Sequence, residues 1–67
     1  MLQRSEEAAE QLRKAISLAP KDPIIWEHLG DVLIIMGDKK GAREAYENSL
    51  KIKPDSETVP GKLDELD

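Results

Sequence analysis

The chain repeats itself with a period of 34 residues, and this self-similarity constrains the fold more than any other feature of the sequence. When residues 8–20 are laid on residues 42–54, seven positions agree in identity or in character. The matched pairs are Ala8 and Ala42, Glu10 and Glu44, Leu12 and Tyr46, Ala15 and Ser49, Ile16 and Leu50, Leu18 and Ile52, and Pro20 and Pro54. A fixed period of this length is typical of folds in which one helical unit stacks on the next. The two segments are therefore predicted to be the same element, used twice.

Hydrophobic periodicity and capping residues predict three main helices, over residues 5–18, 23–36 and 39–52. Each helix follows a Ser or Asp that can cap its first turn, and each stops before a Pro or Gly. The predicted N-caps are Ser5, Asp22 and Asp38, and the residues that end the helices are Pro20, Gly37 and Pro54. The sequence therefore predicts an all-α chain of antiparallel helices joined by short turns.

Residues 57–67 give a weaker signal, because Pro60 and Gly61 lie inside the segment. If Thr58 is the N-cap, Pro60 falls in the first turn, where it is tolerated. Val59, Leu63 and Leu66 are spaced to pack on one side. We expect a short, fraying, acidic helix that covers the end of the third helix, and the alternative is a disordered tail.

The second helix has two distinct sides when its residues are placed at about 100° intervals. One arc is predicted to face the core and contains Ile25, Trp26, Leu29, Val32, Leu33 and Met36. Gly30 and Ala42 are small where two antiparallel helices would approach each other, and Trp26 and Tyr46 are predicted to fill the larger gaps. We assign these residues packing roles.

The residues from Trp26 to Pro54 resemble one repeat of the tetratricopeptide family. The resemblance covers about residues 5–56 and depends on Trp26, Leu29, Gly30, Ala42, Tyr46 and Pro54. The chain departs from the family pattern at Leu33, where Tyr is usual, and at Ser49, where Ala is usual. The resemblance implies the second helix of one repeat in 1–22, a complete repeat in 23–56, and the start of a capping helix or an acidic tail in 57–67. We expect such a piece to be a fragment or the C-terminal end of a longer helical solenoid.

The other arc of the second helix carries the candidate binding residues, which we call the groove face. In the tetratricopeptide family, these positions line a concave groove that holds an extended or helical peptide. The groove face consists of Ile24, Glu27, His28, Asp31, Ile34 and Ile35. One subclass of the family grips a carboxylate with Lys, Arg and Asn at such positions, and this repeat has acidic residues and His instead. An acidic groove with isoleucines suits a basic or amphipathic segment. Alternatively, Ile34 and Ile35 pack on a neighbouring repeat.

Two functions of different classes are consistent with these features. The first is a protein-protein interaction scaffold that binds a peptide or protein through the groove face. The second is self-association, because the first helix lacks its repeat partner and its face around Leu12 and Ile16 would be partly uncovered. A homodimer or the rest of a longer chain would cover that face. An unrelated three-helix bundle is a third interpretation, and the 34-residue register argues against it.

The sequence does not favour catalysis, a cofactor or a metal. Without Cys there is no disulfide, thiolate nucleophile or thiolate ligand. His28 with Glu27 and Asp31 forms neither a closed metal set nor a nucleophile with its base, and the glycines lack phosphate-loop spacing. We therefore expect a protein that is not an enzyme.

Charge and hydropathy limit the partners. The net charge is -4, and residues 57–67 contain one Lys and four acidic residues, so nucleic acid is not an expected partner. No apolar run approaches the roughly 20 residues of a membrane span, so membrane insertion is not expected either. The sequence leaves the cellular compartment open.

Overall fold

The structure is a computed structural model that describes residues 2–66, with side chains from residue 4 onward. Four helices follow one another: α1 (Leu2–Leu18), α2 (Pro23–Ile35), α3 (Lys39–Ile52) and α4 (Val59–Glu65), and residues 2–66 contain no strand. α2 packs against both α1 and α3, and α4 packs on α3. The predicted all-α fold with three main helices and a short C-terminal helix is confirmed. Met1 and Asp67, which belong to the predicted segments 1–22 and 57–67, lie outside the described residues.

Two of the three predicted N-caps form. An Asp22 carboxylate oxygen accepts from the Ile24 amide at 3.0 Å, and an Asp38 oxygen accepts from the Gly41 amide at 2.9 Å. Each bond satisfies an amide that has no partner within its helix. Between α2 and α3, Gly37 has a φ of 83°, the left-handed conformation that a helix C-terminus needs. These local signals fix the turn between the two helices of the complete repeat.

The predicted N-cap at Ser5 is wrong. α1 begins at Leu2, so Ser5 lies inside the helix, where it is buried. No Pro or Gly precedes Ser5 in residues 2–4, so nothing prevents the helical hydrogen bonds from continuing toward the N-terminus. Ser is also small enough to be buried in a helical interface.

The core lies between α2 and its neighbours. Its buried members are Ala9, Leu29, Leu33, Ala42, Ala45, Tyr46 and Val59, and Trp26, Val32 and Met36 pack against them partly buried. Ile25, the remaining residue of the predicted core arc, is also partly buried. Ser49 is buried, and its hydroxyl donates to the Pro23 carbonyl at 2.9 Å. This bond ties the start of α2 to α3 and gives a use for Ser where the family usually has Ala.

Gly30 lies on α2 directly against the Tyr46 ring of α3. A Cβ atom at this position would be only 2.5 Å from Cε1 of the Tyr46 ring. The small residue predicted at the helix contact is therefore needed to accommodate an aromatic side chain of α3. Tyr46 is buried in this position and reaches the polar side of α2 with its hydroxyl.

α4 is anchored by Val59, which is fully buried. Thr58 occupies the N-cap position but makes no side-chain capping bond. Instead, the Ser56 hydroxyl oxygen accepts from the Val59 amide at 3.3 Å, while the Thr58 hydroxyl donates to Glu27 of α2. Thr58 is thus the N-cap by position, with Pro60 in the first turn as expected, but its backbone is helical rather than extended and its side chain does not cap the helix. The helical alternative for this segment, rather than a disordered tail, agrees with the structure.

Candidate protein-binding site

The structure divides the groove face of α2 into two edges. Glu27, Asp31 and Ile34 form the edge that faces α4, because the two carboxylates contact residues 58 and 62 and Ile34 borders a cavity with α4. Ile24, His28 and Ile35 form the exposed edge, where Ile24 is 49% and Ile35 is 66% exposed and His28 is exposed as well. The predicted residues share one helix, but they do not form one uniform surface.

Lys62 of α4 binds both carboxylates of the first edge. Its Nζ lies 2.8 Å from Oε2 of Glu27 and 3.1 Å from the Asp31 carboxylate. The same Glu27 oxygen accepts from the Thr58 hydroxyl at 2.7 Å. We call Glu27 and Asp31 the acid pair. Since hydrogen bonds between charged groups are stronger than neutral ones, these contacts hold α4 against α2.

Tyr46 of α3 also belongs to this network. Its hydroxyl donates to Asp31 at 2.6 Å, and Lys62 Nζ lies 5.9 Å from the centroid of its ring, within the range of a cation–π contact. Burial, together with the bond to Asp31, raises the pKa of the Tyr46 hydroxyl above its usual value of 10.0. The hydroxyl therefore stays protonated and remains a donor to Asp31.

The charges of the network stabilise each other. The hydrogen bond from Lys62, and next the one from Thr58, lower the pKa of Glu27 below 4.5. Burial acts to lower the pKa of Lys62, but its bonds to Glu27 and Asp31 outweigh this effect and raise it above 10.5. Glu27 is therefore ionised and Lys62 protonated at neutral pH, and the acid pair already has a cation within the chain.

A cavity of about 380 Å³ opens beside this network, between the end of α2, the start of α3 and α4. Its volume falls in the range of roughly 300–1,000 Å³ that is typical of ligand sites. Its lining consists of Asp31, Ile34, Gly37, Lys39, Tyr46, Lys62, Glu65 and Leu66. A second cavity, of about 280 Å³, lies near the start of α2 and is bordered by Ile24 and Glu27. The groove face thus borders concave surface at both ends.

Sequence reasoning missed Lys62, Thr58 and Leu66 as members of this site. The signal was present in the 34-residue register, which places Lys62 on His28 and Val59 on Ile25. α4 therefore corresponds to the first helix of a third repeat, lying beside α2. The start of a capping helix was expected in this segment, but the register was not used to assign Lys62 and Thr58 to the site.

The predicted self-association face is partly covered. Leu12 and Ile16 are both partly buried and pack against the core. In the 34-residue register, Ala8, Leu12 and Ala15 of α1 correspond to Ala42, Tyr46 and Ser49 of α3. The three residues of α3 are buried, whereas their counterparts on α1 are only partly buried. This side of α1 is thus less covered than the same side of α3.

Neither a metal-binding cluster nor a membrane-spanning helix is found within residues 2–66. Within residues 2–66, no group of three or more His, Cys, Asp or Glu side chains is placed to hold a metal ion. None of the helices in the same range is both long enough and apolar enough to cross a bilayer.

Comparison with known proteins identifies the family. Residues 23–56 match a family model described as the tetratricopeptide repeat, and residues 2–22 match a second model with the same description. The chain belongs to the tetratricopeptide repeat family. It contains about one and a half repeats, with α2 and α3 as the complete one. Tetratricopeptide repeats generally act as protein-protein interaction modules.

Three curated relatives are much longer than this chain. Protein FlbA of Caulobacter vibrioides is 37% identical over 54 residues, which are 81% of this chain and 9% of FlbA. The protein O-mannosyl-transferase TMTC1 of Mus musculus and that of Homo sapiens are each 34% identical over 62 residues, which are 92% of this chain and 7% of each relative. The chain therefore spans only a small part of the relatives that it matches.

Proposed function

We propose that this chain is a non-enzymatic protein-binding module that holds a peptide or protein segment on the groove face of α2. The observation that supports the proposal is the distribution of exposed apolar side chains. Within the described residues, four large hydrophobic side chains are exposed, and three of them, Ile24, Ile34 and Ile35, lie on α2. The fourth, Leu18, lies at the end of α1.

The chemistry of α2 supports the same proposal. Leu29 and Leu33 of this helix are buried in the core, and the exposed isoleucines add apolar surface to its outer side, beside Glu27, His28 and Asp31. Clustered exposed apolar side chains with polar residues at their border are typical of interaction surfaces. A bound segment would cover the isoleucines, and His28 between them can supply a polar contact.

The proposal that the chain is not an enzyme concerns this chain alone. His28 is exposed, and its neighbours Glu27 and Asp31 are engaged by Lys62 rather than positioned to act on a substrate. The relative TMTC1 is named as an O-mannosyl-transferase, but only 7% of it is matched. That activity belongs to the whole relative and is not proposed for this chain.

The experiment is a selection of random short peptides displayed on phage with the purified chain as bait. The affinity of an enriched peptide is then measured by fluorescence anisotropy for the wild type and for Ile35→Ser. Fully covering an isoleucine contributes about 1.5–3 kcal/mol, and Ile35 is 66% exposed, so about 1–2 kcal/mol is at stake and the variant should bind roughly five- to thirtyfold more weakly.

Leu18→Ser is the matched control, because Leu18 is an equally large aliphatic residue, 86% exposed, on a different helix. We expect it to bind like the wild type. Equal losses in Ile35→Ser and Leu18→Ser, or no loss in Ile35→Ser and in Ile34→Ser alike, would exclude the groove face as the binding surface.

Self-association is a second candidate, favoured by the partial exposure of Ala8, Leu12 and Ala15 on α1. A second copy of the chain could cover this side, as α2 covers the equivalent side of α3. Light scattering over a wide concentration range would show a dimer that Leu12→Lys dissociates. A helical monomer throughout would remove this candidate and leave the binding module.

A further inference from the structure

We infer that the cavity between α2 and α4 accepts an aliphatic side chain from an uncharged stretch of the bound segment, and that Lys62 disfavours basic segments. This inference rests on the proposed function, because it specifies what the groove face recognises. The sequence predicts either a basic or an amphipathic partner. The inference selects the amphipathic one, which would bind through its apolar side.

The side chains that line the cavity include equal numbers of acidic and basic groups. Its lining includes two acidic and two basic side chains, Asp31 and Glu65 with Lys39 and Lys62. The formal charges of these four side chains cancel, so the lining itself carries no net charge that would favour a group of either sign. Electrostatic complementarity selects partners mainly by excluding the wrong charge. A neutral cavity fits an uncharged group.

Both carboxylates of the acid pair already have hydrogen-bond partners within the chain. Glu27 has Lys62 at 2.8 Å and Thr58 at 2.7 Å, and Asp31 has Lys62 at 3.1 Å and Tyr46 at 2.6 Å. A Lys or Arg from a partner would have to displace Lys62, which donates to both carboxylates. Otherwise it would approach a like charge, which is unfavourable. The acidic residues that favoured a basic partner are thus used within the chain.

Part of the cavity wall is apolar. Ile34 is 38% exposed, Leu66 is partly exposed, and both border the cavity together with the Tyr46 ring. A cavity of about 150 Å³ is enough to hold benzene, so 380 Å³ leaves ample space for one branched aliphatic side chain. An apolar side chain in this position would cover Ile34 and Leu66 and leave the Lys62 bonds in place.

The test compares the wild type with Lys62→Gln in parallel selections from the same phage-displayed library of random short peptides. Peptides enriched by the wild type should be rich in Leu, Ile and Val, with no excess of Lys or Arg. Peptides enriched by Lys62→Gln should gain Lys and Arg, because that variant leaves the acid pair without its cation whether or not α4 stays docked. Binding of a wild-type-selected peptide should change little between low and high salt, since screening acts on charged contacts.

A single-residue variant locates the aliphatic contact. Ile34→Ser should weaken a wild-type-selected peptide by about fivefold or more, the size of effect expected when a contributing interface residue is truncated. Leu18→Ser should leave its affinity unchanged, and circular dichroism should show that both variants keep the helicity of the wild type.

The outcomes separate this inference from the proposed function. Enrichment of Lys and Arg by the wild type, or a wild-type affinity for Ile34→Ser combined with a loss in Ile35→Ser, would overturn the inference and leave the binding module standing. A library from which the wild type enriches nothing would overturn both.

Discussion

Replacing Gly30 with Ala tests the packing of α2 on α3 at the contact between Gly30 and Tyr46. The new Cβ would lie 2.5, 2.7 and 2.8 Å from Cε1, Cδ1 and Cζ of Tyr46. Carbon atoms in contact prefer about 3.5–4.0 Å, so the ring would have to retreat by roughly 1 Å. Because Tyr46 is buried, its retreat displaces neighbouring core residues.

The expected magnitude follows from three opposing effects. Ala is a better helix former than Gly by about 1 kcal/mol, which stabilises the variant. Overpacking a core position costs about 1–3 kcal/mol. The retreat of the ring also stretches the 2.6 Å bond from Tyr46 to Asp31, and a hydrogen bond to a charged group contributes about 1.5–3 kcal/mol. We expect Gly30→Ala to lower the free energy of unfolding by about 2–4 kcal/mol, or the Tm by at least roughly 10 °C for a chain of this size.

The assay is urea unfolding followed by far-ultraviolet circular dichroism and by the fluorescence of Trp26. Gly61→Ala is the control, because a Cβ at Gly61 would meet no atom within 4 Å, and it should stabilise the chain by up to about 1 kcal/mol. In a Tyr46→Leu background, where the ring is gone, Gly30→Ala should no longer destabilise. An unchanged or raised stability for Gly30→Ala in the wild-type background would refute the packing argument.

Three further predictions concern α4 and the helix caps. Lys62→Gln removes the bonds from Lys62 to Glu27 and Asp31, which are partly exposed, so it should reduce the protection of the α4 amides from hydrogen exchange by about 1–2 kcal/mol. Lys21→Gln, at an exposed turn position, should leave this protection unchanged. Since the pKa of Glu27 is lowered on folding, docking of α4 should be complete above pH 4.5 and weaken as the pH falls through the lowered pKa. Glu27→Gln should lack this pH dependence. If the wild type and Glu27→Gln show the same pH dependence, Glu27 is not the group that controls the docking of α4. Asp38→Ala should cost about 1 kcal/mol in thermal unfolding through loss of the α3 cap, whereas Asp55→Ala, in an exposed turn, should be near neutral.

Local features of the sequence were sufficient to predict most of the fold. The bounds of α3, the caps at Asp22 and Asp38 and the turn at Gly37 depend on residues within a few positions of one another. The 34-residue period then placed α1 and α3 in equivalent positions. The start of α1 could not be predicted in the same way, because no breaking residue marks it.

The arrangement of the candidate site was harder to predict, because it depends on contacts between distant residues. Glu27 and Asp31 meet Lys62 across 35 and 31 residues, respectively. Helical periodicity placed both carboxylates on the outer side of α2, but it could not indicate that α4 would return to neutralise them. The division of the groove face into two edges follows from the position of α4 and not from α2 itself.

A chain of contacts couples the stability of the repeat to the candidate site. The Tyr46 ring fills the space left by Gly30, its hydroxyl donates to Asp31, and Asp31 with Glu27 holds Lys62. Lys62 in turn holds α4, which supplies one wall of the cavity. Displacing the ring would therefore loosen α4 and reshape the cavity, although Gly30 does not line it. Gly30→Ala should weaken a peptide bound at the cavity as well as the fold, whereas Asp22→Ala, which removes the cap at the opposite end of α2, should spare the affinity of the molecules that remain folded.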